Sequence, residues 1–399
     1  MRLSANVQTL KPSATIAVST LAKKLAAEGR DIINLSAGEP DFDTPSFISE
    51  QAVEGIRAGR TRYTPPAGIP ELRVAIARRL GERGPSEASP EGVVVTAGAK
   101  QALFNAIFTL FGPGDEVLVA APYWTTYPAL VEIARAEPVA VFGDEGRGFK
   151  VSADDLEARA SGSTRGLILN SPSNPTGSVY TLDELREIAA WCRDRGVWLV
   201  SDEIYRDIHH DHAEPAPGIL SLREGERGST VLVDGASKGF AMTGWRIGFS
   251  YTEPDLARKL AALQSQITSN AATPSQMAAL AAYSDVESAR REHERMGEAF
   301  RRRKDLVCRR MRELLSDVPF IEPGGAFYLY FRVDGLFDAE VDSGTAWCSR
   351  LLTEQGVALV PGAAFGDDRW VRLSFASSDE VLEQAMRRIV SMVEAVPAG

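Results

Sequence analysis

Polar residues follow four apolar runs in the middle of the chain. The polar segments are GAK (98–100), SPSNPTG (171–177), SDE (201–203) and DGASK (234–238). Parallel strands end at one edge of a sheet, and open α/β sheets bind their ligands outside that edge, so we expect the four segments to lie close together. Together they could present an amine, a carboxylate and backbone N–H groups to one small ligand.

Lys238 and Asp202 are the two charged residues of this set with the clearest chemistry. Lys238 stands in a turn of small residues, an unusual place for a long, hydrated side chain, although it could simply be a surface lysine. A buried lysine near cations has a lowered pKa and becomes an amine able to form a Schiff base. Asp202 could accept a hydrogen bond from a cationic ring nitrogen, or merely cap the next helix.

Two further features could bind a phosphate. Gly98, Ala99 and Lys100 open a predicted helix, where free N–H groups and the helix dipole favour an anion. Small residues at such a turn can instead be present only because they allow close packing. Arg246, eight residues after Lys238, could bind the same anion through two parallel hydrogen bonds.

The elements that must position these residues alternate in type. Between about residue 91 and residue 250, short β-rich runs alternate with helical stretches, which predicts an α/β fold with a mostly parallel sheet covered by helices. A helical stretch with a dense basic face, residues 287–315, then leads to a smaller α+β unit. We expect the first ~45 residues to pack with that unit. The predicted strands of the sheet are GVVVTAG, DEVLVAAP, EPVAVF, RGLILNSP, VWLVSDE, TVLVDGA and RIGFSY.

The composition argues against several functions. A net charge of −10 and a pI near 5.2 oppose binding to nucleic acid or to an anionic membrane surface. We find no run of 18 apolar residues and no apolar signal-peptide core, so we expect the cytoplasm. Three widely spaced cysteines give neither disulfide nor metal-ligand spacing. No metal site is expected from the polar histidine segment His209, His210 and His212 either.

The segment SKGFAMTGWRIG (237–248) resembles the lysine motif of the class I and II pyridoxal-phosphate-dependent aminotransferases, which have fold type I. The resemblance covers nearly the whole chain, from KPSAT (11–15) to VRLSFA (371–376), and points to the bacterial aspartate and aspartate/prephenate aminotransferases. Four further segments match the family in the same order: SAGEPDFDTP (36–45), TRYTPPAGIPELR (61–73), NSPSNPTG (170–177) and SDEIYRD (201–207).

This resemblance implies a fold and an assembly. A large domain, residues 46–285, would contain a mostly parallel seven-stranded sheet flanked by helices. A smaller α+β domain would combine residues 1–45 and 286–399. The protein would be a homodimer whose active sites are shared between the subunits.

The resemblance also implies how pyridoxal 5'-phosphate is held. Lys238 would carry the cofactor as a Schiff base and shuttle the substrate proton, while Asp202 would pair with the ring nitrogen. Asn174 and Tyr205 would bind the phenolic oxygen, and Trp124 would stack on the ring. The implied phosphate contacts are Gly98, Ala99, Lys100, Ser237, Arg246 and Tyr63 of the partner subunit. Gly235 replaces a serine that many relatives use there, so one contact is expected to be lost unless Ser237 compensates.

Substrate recognition is inferred in the same way. Arg372 would clamp the substrate α-carboxylate, a task that suits a planar guanidinium, with Gly38, Asn174 and Trp124 nearby. Lys100 and Thr15 match residues that bind a distal carboxylate in the family. The implied reaction moves an amino group from aspartate, or another dicarboxylic amino acid, to 2-oxoglutarate by a ping-pong mechanism.

Alternatives remain open. They are a glutamate/aspartate-prephenate aminotransferase, an aromatic aminotransferase, a pyridoxal-phosphate-dependent β-lyase, and a cofactor-binding regulator. The regulator is disfavoured because the sequence shows no additional segment for a DNA-binding domain.

Overall fold

A computed structural model describes residues 10, 12, 14–210 and 214–394. It contains a large sheet and two smaller ones. The strands, in chain order, are β1 (Ile33–Asn34), β2 (Val93–Thr96), β3 (Glu116–Ala121), β4 (Glu137–Phe142), β5 (Thr164–Asn170), β6 (Trp198–Asp202), β7 (Thr230–Gly235), β8 (Gly248–Tyr251), β9 (Phe320–Ile321), β10 (Tyr328–Arg332), β11 (Val357–Ala358), β12 (Val360–Pro361) and β13 (Trp370–Ser374).

The central sheet has seven strands in the order β2-β8-β7-β6-β5-β3-β4. Strands β7, β6, β5, β3 and β4 pair in parallel, whereas β8 runs antiparallel to both of its neighbours. The seven strands coincide with the seven apolar runs of the sequence. The prediction of an α/β fold with a mostly parallel seven-stranded sheet is therefore confirmed.

Helices cover both faces of this sheet. The α-helices of the whole described chain are α1 (Ala14–Ala27), α2 (Ser46–Arg57), α3 (Pro70–Gly81), α4 (Ala99–Leu110), α5 (Thr126–Ile133), α6 (Ala153–Arg159), α7 (Leu182–Arg195), α8 (Glu224–Arg227), α9 (Ala236–Gly239), α10 (Pro254–Ile267), α11 (Thr273–Ser284), α12 (Val286–Leu314), α13 (Gly344–Gln355) and α14 (Asp379–Glu394). None of these helices combines the length and the apolar character needed to cross a membrane.

The sheet strands are apolar without a break because each face packs against its own layer of helices. In β5, Leu167 and Leu169 belong to one buried cluster, while Ile168 between them belongs to another. Successive side chains of a strand point to opposite faces, so both layers draw on the same short run. The polar residues that follow each strand are thereby left at the sheet edge.

The C-terminal part forms a four-stranded antiparallel sheet of order β12-β13-β10-β9. The N-terminal segment packs beside it, because β1 pairs in parallel with β11 and places Ile33 opposite Val357. Helix α12 leads from the large sheet to this unit and packs against α14. These contacts agree with the expected division, but the boundaries at residues 46 and 286 stay a prediction.

Candidate active site

A cavity of about 290 Å³ lies at the carboxyl edge of the parallel strands. It collects residues that are far apart in the sequence. Of the residues predicted for the site, the cavity is lined by Thr15, Gly38, Ala99, Lys100, Trp124, Asn174, Asp202, Tyr205, Ser237, Lys238, Arg246 and Arg372. Gly98 is not among the lining residues, although its chain neighbour Ala99 is. Tyr63 does not line it and is 90% exposed.

Lys238 lies in the short helix α9, directly after β7. Its Nζ donates a hydrogen bond of 2.5 Å to the carbonyl oxygen of Gly38, in the N-terminal segment. Burial lowers the pKa of Lys238 to about 8, and the positive charges of Arg246 and Arg372 act in the same direction. The carboxylate of Glu39 opposes that shift. At pH 7 roughly a tenth of the amine is consequently unprotonated and available as a base or nucleophile, far more than for an ordinary lysine.

Asp202 ends β6 and is buried at the floor of the cavity. The hydroxyl of Tyr127, in α5, donates to its Oδ2 at 2.7 Å, and the backbone N–H of Ile204 donates to its Oδ1. Burial raises the pKa of Asp202 to about 6, against the lowering effect of the Tyr127 hydrogen bond. A buried carboxylate of this kind is stabilised in its ionised form by a cationic partner.

An anion could bind where α4 begins. Gly98 has φ +87°, and a β-carbon added there would collide with the guanidinium of Arg246. The close approach places that guanidinium beside the first N–H groups of α4, which have no acceptor within the helix. Arg246 is fixed by a 2.9 Å hydrogen bond from Nη1 to the carbonyl oxygen of Thr243.

Lys100 and Trp124 lie together on one wall. The Nζ of Lys100 is 4.8 Å from the centroid of the Trp124 ring, a cation–π arrangement. Burial, and then the charge of Arg246, lower the pKa of Lys100. The side chain is thus held inside the cavity despite the cost of its partial desolvation.

The structure gives a reason for the glycine at position 235. A β-carbon added to Gly235 would come within 2.8 Å of the Cα of Gly248 and of the carbonyl oxygen of Ile247, so the backbones of β7 and β8 leave little room for a side chain. Ser237, by contrast, lines the cavity.

Arg372 is the most unusual charge of the site. It lies in β13 and is 1% exposed, yet no carboxylate of the described chain lies within 4.0 Å of its guanidinium. Nη1 donates to Oδ1 of Asn174 at 2.9 Å and Nη2 to the carbonyl oxygen of Ser36 at 2.7 Å, while Nε has no partner. Burial lowers the pKa of Arg372. An unpaired buried cation is costly, and an anionic ligand would relieve that cost.

Sequence reasoning missed three residues of the site. Tyr127 binds Asp202, and Tyr328 shares a 2.7 Å hydrogen bond with the hydroxyl of Tyr205. Asn170 accepts from the backbone N–H of Asn174 and donates to the carbonyl oxygen of Asp202. Asn170 carried a usable signal, because it is the polar residue that ends the β5 run, and the GGAFY turn (324–328) that contains Tyr328 resembles a family segment near the active site.

The remaining reactive side chains form no second centre in the described ranges. No group of three or more metal-binding side chains is present there, and His212 lies outside the described residues. All three cysteines are free and buried. Burial raises their thiol pKa values, which makes them unreactive.

The arrangement can be compared with known proteins at this point. A family model for class I and II aminotransferases matches residues 30–389. The chain belongs to this family. A probable aspartate/prephenate aminotransferase of Aquifex aeolicus is 40% identical to it over 99% of both chains. An aspartate/prephenate aminotransferase of Cereibacter sphaeroides is 42% identical over 97% of both.

Solved aminotransferase structures agree in fold. The aspartate aminotransferase of Thermus thermophilus with maleate has a TM-score of 0.92 and 39% identity, and the match covers 98% of this chain and 100% of that one. The aspartate aminotransferase of Thermotoga maritima gives a TM-score of 0.89 at 38% identity, with 98% and 100% covered. The sequence-based assignment to an aminotransferase of this fold is confirmed.

Proposed function

We propose that this aminotransferase uses pyridoxal 5'-phosphate to move an amino group from aspartate, or another dicarboxylic amino acid, to 2-oxoglutarate. One observation carries the proposal. The buried guanidinium of Arg372 has no carboxylate partner in the described chain, and it lines the same cavity as the amine of Lys238. An amino acid brings the carboxylate that Arg372 lacks, next to an atom whose proton Lys238 can take.

The residues of the cavity fit the cofactor. Lys238 would hold it through the ε-amine, Asp202 would face the ring nitrogen, and the N-terminus of α4 with Arg246 would hold the phosphate. Asn174 and Tyr205 would bind the phenolic oxygen, and Trp124 would cover the ring. When bound, pyridoxal phosphate supplies an electron sink for the bond that breaks at the substrate α-carbon.

The protein's own groups then divide the work. Lys238, with a pKa near 8, would take the proton from the substrate α-carbon and return it to the C4′ carbon of the cofactor. Arg372 orients the α-carboxylate through a rigid planar fork, with Asn174 already bound to one of its nitrogens. The backbone of Gly38, the present acceptor of the lysine N–H, would lie beside the same carboxylate.

Lys100 and Thr15 support a second carboxylate on the substrate. Both line the cavity, and Oγ1 of Thr15 is buried with no hydrogen-bond partner in the described chain. A cation and an unsatisfied hydroxyl favour a dicarboxylic substrate over an apolar one. The Thermus thermophilus structure is described with maleate, which is also a dicarboxylate.

Prephenate is the second candidate amino acceptor. It too has two carboxylates, and the relatives from Aquifex aeolicus and Cereibacter sphaeroides are named for aspartate and prephenate. We rank prephenate after 2-oxoglutarate because no residue of the cavity gives a specific reason to bind its ring. An aromatic amino donor and β-lyase chemistry remain the less favoured alternatives.

We also propose a homodimer with shared sites, in the cytoplasm. Tyr63 supports the shared site, because it is 90% exposed on this chain although the family resemblance gives it a phosphate-binding role across the interface. The domain limits, 46–285 for the large domain and 1–45 with 286–399 for the small one, belong to the same proposal.

The test is the visible absorption spectrum of the purified protein. We expect a yellow chromophore that aspartate bleaches and 2-oxoglutarate restores, since each half-reaction changes the bound cofactor. Lys238→Ala should not complete this cycle. A protein that takes up no pyridoxal phosphate would refute the cofactor assignment, and release of pyruvate from β-substituted amino acids without amino transfer would favour the lyase alternative.

A further inference from the structure

A buried group of ionisable residues lies behind the turn that carries Lys238, and none of its members lines the active-site cavity. One member comes from the end of β7, one from the turn after β6, one from the segment after α3 and one from α12. We call it the rear cluster: Arg83, Asp207, Asp234 and His293.

On one side, the rear cluster fixes the chain before Lys238. Asp234 ends β7 together with Gly235, and its Oδ1 accepts a 2.7 Å hydrogen bond from the N–H of Gly235. Its Oδ2 accepts from Nη1 of Arg83 at 2.5 Å. Both side chains are almost fully buried, so the end of β7 is tied to a guanidinium that comes from elsewhere in the large domain.

On the other side, the cluster supports the chain after Lys238. A β-carbon added to Gly239 would lie 3.0 Å from Oδ2 of Asp207 and 3.2 Å from Nε2 of His293. Asp207 is itself 3.6 Å from Nη2 of Arg83. The ring of His293 packs on Phe240, with 4.6 Å between the ring centroids. The backbone following the lysine therefore rests on the cluster.

We propose that the rear cluster positions Lys238, by holding the turn on both sides of it so that the amine stays in its desolvated location. The proposal rests on the catalytic role assigned to Lys238 above. A buried charge cluster contributes little to stability compared with apolar packing, but it can select one arrangement of the chain, and here that arrangement is the one that aims the lysine.

The matching experiment measures the amine directly in the cofactor-free protein. The protein is labelled with acetic anhydride at a series of pH values, and peptide mass spectrometry reads the labelling of Lys238. The midpoint is the pH at which half of this amine is unprotonated, and its measurement needs neither cofactor nor turnover. The charged and titratable groups that face Lys238 are Asp202, Tyr205, Arg246, Arg372 and Glu39, and none of them is changed.

Two variants separate positioning from simple charge effects. Arg83→Met removes a positive charge and Asp207→Asn removes a negative one, so a purely electrostatic influence would shift the midpoint of Lys238 upward in the first and downward in the second. If the cluster positions the turn, both variants let water reach the amine, and both midpoints rise. We expect a rise of about one pH unit from a value near 8, which lowers labelling at pH 8 about fivefold.

Controls complete the test. Arg83→Lys should recover part of the shift, and Arg78→Met, an exposed arginine of α3, should leave the midpoint unchanged. Circular dichroism selects the variants that fold, and should Arg83→Met fail to fold, the isosteric Asp207→Asn decides alone. An unchanged or lowered midpoint in folded Asp207→Asn overturns the proposal. If the parent protein transfers no amino group from any substrate, but both variants raise the Lys238 midpoint, only the proposed reaction is refuted.

Discussion

Lys238 shows how function and stability conflict at a single residue. Burial holds its pKa at about 8 in the folded chain, below the ordinary value of 10.5. Between these two pH values the unfolded chain binds more protons, so the free energy of unfolding rises with pH across this window. Below pH 8 the full penalty persists. The amine to which we assign the catalytic role thus destabilises the cofactor-free protein.

Lys238→Met should therefore stabilise the cofactor-free protein at pH 7. We expect the free energy of unfolding to increase by about 1–2 kcal/mol, less than the pKa shift alone implies because the hydrogen bond to Gly38 is lost. The gain should nearly vanish at pH 11, where the lysine is neutral in the folded chain and largely neutral in the unfolded one. Urea unfolding at the two pH values measures this, and a variant less stable than the parent at pH 7 would contradict it.

Arg372 makes a second prediction at this scale. Arg372→Lys keeps the charge but loses the planar fork and the simultaneous bonds to Asn174 and Ser36. We expect kcat/KM for aspartate to fall by about 100-fold. Steady-state kinetics measure the change, with Arg369→Lys as the matched control, because Arg369 is half-exposed and pairs with Asp367. Equal, small losses in the two variants would argue against the carboxylate clamp.

At the scale of elements, the start of α4 is the part most sensitive to substitution. Gly98→Ala would place a methyl group against Arg246 and strain a backbone with φ +87°. We expect the dissociation constant for pyridoxal phosphate to rise about tenfold or more. Fluorescence titration of the cofactor-free protein measures it. Gly112→Ala, after the other end of the same helix, meets no atom within 4 Å and should bind normally. Similar losses in both would point to general destabilisation.

The same scale separates what the sequence could and could not predict. The apolar runs of the sequence predict all seven strands of the large sheet. The polar residues that follow these runs are predicted to meet at one edge of the sheet, because parallel strands end there. The partnership of Tyr127 with Asp202 does not, because it joins a helix after β3 to the end of β6, two strands away across the sheet. The contact of Gly38 with Lys238 spans 200 residues and equally has no local signal.

The smaller unit was predicted less completely. The sequence predicts an α+β unit without placing each of its strands, and the two-residue strand β9 is too short to leave a periodic pattern. The sequence also gives no indication of the rear cluster. Charged residues are by default expected at the surface, and only the fold shows that Arg83 and Asp234 are buried against each other.

At the scale of the whole molecule, the proposed dimer can be tested through its shared sites. Tyr63→Ala and Lys238→Ala should each be impaired alone. In a mixed dimer, one site would combine an intact Lys238 with the partner's intact Tyr63, while the other would carry both defects. Mixing the two variants after denaturation should then restore activity to about a quarter of the parent level. Activity no greater than the sum of the separate variants would indicate that Tyr63 does not act across the interface.

The reversed direction of β8 has a consequence for how the site could be altered. Because β8 runs against β7, the connection between them, residues 236–247, does not cross to the far side of the sheet. It stays at the ligand edge and contains both Lys238 and Arg246. The lysine and the arginine to which we assign cofactor binding therefore lie on one contiguous peptide. Exchange of that single peptide between relatives would be expected to move both side chains together.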